Sequence, residues 1–542
     1  GVLQINTFGP TGSLGQNGVV NVEAGATLLV TKAWAQFALG TITPVLNLNG
    51  GNLAGMTLTV VAPVGTQTQG GVHGYGTISG AIDFGAQTIT AEGTGLNFTN
   101  ASLATTFNNG SIVGTIVRNF GYIAGTGTIE TIFENRNTGS LVAHGGNLTL
   151  TSATPLLNFG SINTRANTVN VLTAWTNQGR VILEGGTVAG GALMNRGTVF
   201  GTGVVAPTFQ NQSIGVVTVS GGNMTISNPV GVLNQGTMNI FGNVLDVNAS
   251  AWTNTGRINV VGGTVRTGAG TGVLFNWGIV ATGSSIDSDF HNSGTFLLGS
   301  HTSITGNFTN AGWTNFGTAN LTVLGPEGVA NQGNGINTGV FVGSGTLTID
   351  PGASSNASFT NTATNALGDG GAYNTQNMAF TFASGTINVE VTNTDIGEFL
   401  NNIPSVGWSW ATLTLPNTLT LLRLMDDFVN QGGGTQEAIY VENLHLGSAL
   451  TASNFDFGLG VGNTASGLKI YYNHIIGDGG VNYVGTYDGA ARIIYFGNII
   501  PLQGAIVPEP STFALLLLGL PLLIWFVWRT RRQQKEKAKA SA

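Results

Sequence analysis

Trp175-Thr176-Asn177-Gln178-Gly179-Arg180-Val181-Ile182-Leu183 and Trp252-Thr253-Asn254-Thr255-Gly256-Arg257-Ile258-Asn259-Val260 are two copies of one phrase. Each sets an aromatic residue two positions before an asparagine and a glycine two positions after it, then alternates aliphatic residues with others. Asn-x-Gly recurs at Asn119, Asn137, Asn158, Asn177, Asn195, Asn234, Asn254, Asn276, Asn292, Asn315 and Asn337, and Asn211 carries a degenerate copy ending in Ser213. Eight steps from Asn119 to Asn276 cover 157 residues, about 20 per step. Aromatic-x-Asn stands at Phe98, Phe133, Trp175, Phe209, Trp252, Phe290, Phe308, Trp313 and Phe359. A unit this short, holding strands, leaves no room for a helix. It predicts one coil of a parallel β-solenoid, stacked on the coils before and after it.

The aromatic and the asparagine are two residues apart and so share one face of a strand. The aromatic therefore fills the coil interior and the asparagine reaches the corner. There its amide can bond the turn backbone and the matching asparagine of the next coil. Composition agrees with that stacking. Charged residues make up 8% of the 542, against roughly 25% in an ordinary globular protein. In-register coils place like side chains ~4.8 Å apart, so like charges repel along each column, whereas Thr, Ser, Asn and Gly stack without that cost.

Absences narrow the classes further. With no cysteine there is no disulfide framework, thiolate metal site or cysteine nucleophile. Fourteen prolines without a glycine period exclude collagen, and 42% hydrophobic residues argue against simple disorder. The net charge of −7 averages two regions: Arg529, Arg531, Arg532, Lys535, Lys537 and Lys539 all lie in the last 14 residues. Without them and Glu536, 11 basic and 23 acidic residues remain, a balance of −12, so no nucleic-acid partner is expected.

The sharpest chemical constellation is Asp287-Ser288-Asp289-Phe290-His291. As a single strand it would turn Asp287, Asp289 and His291 to one side, a candidate divalent-cation site, although a solvated outer face beside a turn is the plainer account. Asp426 and Asp427, with Glu437 and Glu442, form a second acidic concentration that ordinary loop positions explain. Glycine-rich phrases lack a Walker lysine and read as corners. No catalytic residue and no cofactor is assigned.

At the C-terminal end, Phe513–Trp528 is 16 uncharged residues, a helix of about 24 Å, slightly short of the ~30 Å bilayer core that Thr512 and snorkelling arginines extend. Val507-Pro508-Glu509-Pro510-Ser511 precedes it, and Arg529, Arg531 and Arg532 follow as a membrane stop that holds the end in the cytoplasm. This order, Pro-Glu-Pro, one hydrophobic helix and a terminal arginine cluster, resembles the PEP-CTERM sorting signal of exopolysaccharide-producing Gram-negative bacteria. The resemblance implies an exosortase that recognises Pro508, Glu509 and Pro510 and cleaves nearby. The body would then pass from an inner-membrane-anchored precursor to the cell surface or extracellular matrix. Gly1 is not an initiator, so either a leader has been removed or the sequence is a fragment.

Residues 1 to about 380 resemble autotransporter passenger domains and other secreted right-handed β-helices. The fold expected is therefore all-β: a right-handed parallel β-helix over 1–384 and a β-rich C-terminal module over 385–500. A linker with the Pro-Glu-Pro motif (501–511), one transmembrane helix (512–528) and a basic cytoplasmic tail (529–542) follow. The phrase DDFxN…EAIYVENLxL…LKIYYN resembles a module that recurs in PEP-CTERM surface proteins, and on physical grounds it can cap an open coil end. The function expected is a non-enzymatic surface or matrix protein associated with exopolysaccharide. A cell-surface adhesin is the alternative, and a polysaccharide lyase or hydrolase of the β-helix type is the second.

Overall fold

A computed structural model of the chain describes residues 2–5, 19–30, 34–37, 45–55, 58–60, 71–80, 82–102, 104–228, 231–326, 328–331, 333–334, 337–338, 340–353, 355–361, 377–390, 393–394, 409–425, 437–450, 452–457, 468–477 and 499–501. The linker, apolar segment and basic tail expected beyond residue 501 lie outside these, as do Asp426 and Asp427. Among the described residues no helix is long and apolar enough to cross a membrane. They are almost entirely strands and turns, with two single-turn 3-10 helices at Gly268–Gly270 and Ala452–Asn454. The chain divides into two compact units, Gly1–Thr295 and Phe296–Ala542.

In the first unit the strands come in threes, one for each face of a coil. Val232–Asn234, Thr237–Phe241 and Val244–Val247 make one coil; Ala251–Asn254, Arg257–Val261 and Thr264–Thr267 make the next. Every strand pairs in parallel with its counterpart one coil on. Trp252 stands opposite Val232 and Leu274, Ile258 opposite Met238 and Val280, and Val265 opposite Leu245 and Ile286. The alternation of the sequence is what selects this arrangement: burial along Arg257–Val261 runs exposed, buried, half-buried, buried, exposed.

Stacked coils turn that alternation into continuous internal columns. On the second face Ile162, Val181, Val199, Val217, Met238, Ile258 and Val280 follow one another in register, all fully buried. On the third face Leu148, Val169, Val188, Val205, Ile226 and Val247 do the same. The first face carries the bulkiest members, Trp175, Leu193 and Phe209, then Val232, Trp252, Leu274 and Phe290. Each buried aliphatic contributes about 1.5–3 kcal/mol relative to exposure, so a column is held by many comparable increments. Where a coil turns sharply, only glycine fits: Gly201 has φ +113°, and a Cβ there would lie 2.2 Å from the carbonyl oxygen of Leu183.

The second unit is wound on the same principle. Phe308–Asn310, Gly328–Asn331 and Asn356–Asn361 stack in parallel, with Asn310, Asn331 and Asn361 in register. Parallel pairing continues past residue 384: Gly385–Glu390 lies on Asn356–Asn361, and Leu419–Met425 lies on Gly385–Glu390. Trp410–Leu415, Glu437–Leu446 and Lys469–Gly477 form a second parallel series. Its core is aromatic, with Phe380 stacked on Trp410 at 4.2 Å and Tyr440 on Tyr471 at 5.0 Å between ring centroids.

Candidate functional site

The polar residues buried in the first unit are chiefly asparagines, and ten of these form one line. Asn119 donates from Nδ2 to Oδ1 of Asn135 (2.8 Å), Asn135 to Asn158 (2.6 Å), Asn158 to Asn177 (2.7 Å) and Asn177 to Asn195 (2.8 Å). The series continues through Asn211, Asn234, Asn254 and Asn276 to Asn292, at 2.6–2.8 Å throughout. All ten side chains are 1% exposed or less. The second amide hydrogen goes to a backbone carbonyl one coil further on, as from Asn177 to Thr198 O (3.1 Å) and from Asn195 to Val216 O (3.3 Å). Both amide hydrogens of each member from Asn119 to Asn276 are thereby used, the condition for burying an amide without a desolvation penalty. Each amide dipole also polarises the next.

Three of the expected Asn-x-Gly positions do not join the column. The column takes Asn135 rather than Asn137, which is exposed in the following turn. Strand phase decides this: Phe133 and Asn135 both point inward, and the two extra residues before Gly139 belong to the turn. The aromatic-x-Asn spacing carried that signal, whereas Asn-x-Gly marked only the turn. In the second unit Asn310 is the register partner of Asn331, with Thr314 Oγ1 donating to its Oδ1 (3.0 Å), while Asn315 accepts from the backbone N–H of Gly317 (2.8 Å). Trp313 is 38% exposed because alternation shifts there and Thr314 and Phe316 turn inward. Asn337 pairs with Asn334 in a two-stranded antiparallel hairpin.

Several charged side chains meet an oppositely charged register partner on the neighbouring coil. Arg118 and Glu134 are register partners joined at 3.2 Å. Arg266 stands between Asp246 on one neighbouring coil and Asp287 on the other, with Nε 2.6 Å from Asp287 Oδ2. The hydrogen bond to Asp287 raises the guanidinium pKa further, against some desolvation and with help from both carboxylate charges. In the second unit Arg423 pairs with its register partner Asp456 at 2.8 Å.

The cation site expected at Asp287, Asp289 and His291 is not assembled. The strand breaks at Ser288, whose fully buried side chain turns inward at a corner. Asp287 falls on the third face beside Arg266, while Asp289 and His291 fall on the next coil's first face, where His291 packs against Phe275 with ring centroids 5.1 Å apart. Burial lowers the His291 pKa, and Asp289 only partly offsets this. Among the described residues no three His, Asp or Glu side chains gather as a metal-holding group.

Comparison with known proteins addresses the C-terminal end. No curated protein and no solved structure matches the chain. Residues 507–532 match the family model of the PEP-CTERM protein-sorting motif, a span that takes in Val507, Pro508, Glu509, Pro510, Ser511, Arg529, Arg531 and Arg532. That motif is the signal read by exosortase on exported, membrane-anchored precursors. A body of parallel, coil-stacked β-strands here carries a PEP-CTERM protein-sorting motif at its C-terminal end.

Proposed function

We propose that the chain is a non-enzymatic structural protein of the cell surface or extracellular matrix, delivered by exosortase and lodged in exopolysaccharide. The observation that carries this reading is the sorting motif at 507–532 joined to a body whose outward columns are mostly neutral hydroxyl and amide side chains. One such column runs Thr218, Asn239 and Asn259, with Asn259 donating to Asn239 at 2.8 Å. Such columns suit a hydrated sugar polymer, which exchanges hydrogen bonds with hydroxyl and amide groups. Pro508, Glu509 and Pro510 are the residues exosortase reads, and the apolar segment and arginine stop hold the precursor in the inner membrane until processing.

The test is fractionation of producing cells expressing the chain with Pro508, Glu509 and Pro510 replaced by alanine. The unaltered chain is expected in the surface and matrix fractions in a shortened form, and the altered chain in the inner membrane at full length. Identical processing and distribution of the two would reject the sorting role. Co-sedimentation with exopolysaccharide from the same cells tests the matrix role, and its absence at physiological salt would reject that role.

A further inference from the structure

The first unit concentrates its positive charge along one edge. Of the seven arginines between residues 100 and 295, five stand within three residues of a column asparagine: Arg118, Arg136, Arg180, Arg196 and Arg257. In the same windows only Glu134 and Asp289 are acidic, and Glu134 is already paired with Arg118 and Arg136. The two remaining arginines lie elsewhere: Arg266 between its two aspartates on the third face, and Arg165 at the turn between the second and third faces, bonded to His144 at 2.9 Å. Glu184, Asp246 and Asp287 are likewise on that far side.

Arg180, Arg196 and Arg257 are exposed and have no ion-pair partner among the described residues. Two are held by neutral neighbours, Arg196 Nε by Gln212 Oε1 (2.6 Å) and Arg257 Nε by Asn259 Oδ1 (2.7 Å). Arg180 and Arg257 share a column through Thr198, Val216 and Thr237, four coil steps or about 19 Å apart. The neutral residues between them keep the row from repelling itself. Aromatic side chains line the same edge. The backbone N–H following each column asparagine donates to the preceding column asparagine's carbonyl, which sets Arg136, Phe159, Arg196 and Trp277 in one line. Trp277 is 61% exposed, and Phe120, next to Asn119, is 37% exposed.

We infer that this edge is a binding track for a linear anionic glycan: its carboxylates meet the guanidinium groups of Arg180, Arg196 and Arg257, and its sugar rings lie on Phe120, Phe159 and Trp277. Guanidinium forks match carboxylates in a bidentate fashion. Charge density selects the class of polymer. A nucleic-acid duplex carries one charge per ~1.7 Å and needs a dense basic surface, whereas isolated arginines on an acidic body suit a chain with no more than one carboxylate per sugar. The preference for a glycan rests on the matrix role proposed above; the basic edge stands without it.

The test is affinity electrophoresis of the full chain, purified in detergent, through gels containing polygalacturonate, its methyl-esterified form or a thymidine oligonucleotide. Retardation by polygalacturonate that weakens with added salt is expected, with little retardation by the other two. The combined Arg180→Gln, Arg196→Gln and Arg257→Gln variant should bind at least about tenfold more weakly, while Arg165→Gln on the far edge binds unchanged. Should the triple variant not fold, Arg196→Gln alone and the salt dependence of the unaltered chain carry the test. Undiminished binding by the variants, equal retention by the esterified polymer, or stronger retention by the oligonucleotide would overturn the track. Cellular exopolysaccharide that sediments equally with unaltered and triple-variant chains would overturn the track and leave the matrix role standing. Polygalacturonate binding through the arginines without exopolysaccharide binding would do the reverse.

Discussion

Replacing Asn195 by aspartate exchanges one NH2 group for one oxygen in the middle of the amide column. The donors lost are those to Asn211 Oδ1 (2.8 Å) and Val216 O (3.3 Å); the bond accepted from Asn177 (2.8 Å) survives. Asn211 Oδ1 loses its donor while Val216 O keeps the ladder bond of its parallel pair with Thr198, so about 1–3 kcal/mol is lost before any charge is counted. Ionised, the new carboxylate would face those acceptors at a site with no solvent exposure, adding several kcal/mol. Protonated, its O–H can donate to Asn211 and recover one bond. Its folded pKa must therefore rise above the ordinary ~3.9. A folded pKa above the unfolded one means that stability is greatest below ~3.9 and is lost as pH rises through the folded value. The Asn195→Asp defect should thus be larger at neutral than at acidic pH, relative to the unaltered chain at each pH. Because stacked coils need not unfold as one, the assay is hydrogen exchange at Val199 and Val217, with the thermal midpoint as a second reading. Asn137→Asp, on the exposed neighbour, should change neither. Equal effects at the two positions, or a defect that deepens on acidification, would refute the assignment of the column.

Trp252→Phe removes the bond from Trp252 Nε1 to Thr267 Oγ1 (2.7 Å), whereas the buried Nε1 of Trp175 has no partner among the described residues. Trp252→Phe should cost about 1–2 kcal/mol more than Trp175→Phe, read as a larger fall in thermal midpoint. Arg266→Glu would put three carboxylates in register with Asp246 and Asp287. On a partly exposed face the loss should be about 1 kcal/mol per broken pair and should shrink with added salt or on acidification toward the carboxylate range; a salt-independent loss would point to packing instead. His291, its pKa lowered mainly by burial, contributes stability that is complete above ~6.5 and lost as pH falls toward the lowered value. Exchange at Phe290 should quicken over that window, and His291→Phe should abolish the dependence.

The repeated phrase made the coil legible because interior volume and corner geometry each demand one residue type. Trp175 and Asn177 announce themselves through spacing alone. What stayed hidden was phase. Asn137 and Asn135 differ by two residues, which a turn absorbs, and only the strand's inward side selects between them. The break at Ser288 was equally silent, since a corner within Asp287–His291 needs no glycine. The basic edge could not be read at all without register, because Arg180 and Arg257 are 77 residues apart and share a column only once the coils are stacked. The sorting tail is the opposite case: its motif is carried by contiguous residues, 507–532, and is therefore plain in the sequence.

Successive members of the amide column are separated by 16, 23, 19, 18, 16, 23, 20, 22 and 16 residues, yet the bonds between them stay within 2.6–2.8 Å. The column acts as a timing mark that resets each turn of the winding, so an error in one coil's length is not passed to the next. A gene for such a chain can gain or lose residues in any turn, or duplicate a whole coil, without rewriting the rest. The length of the wound body is in that sense adjustable one coil at a time.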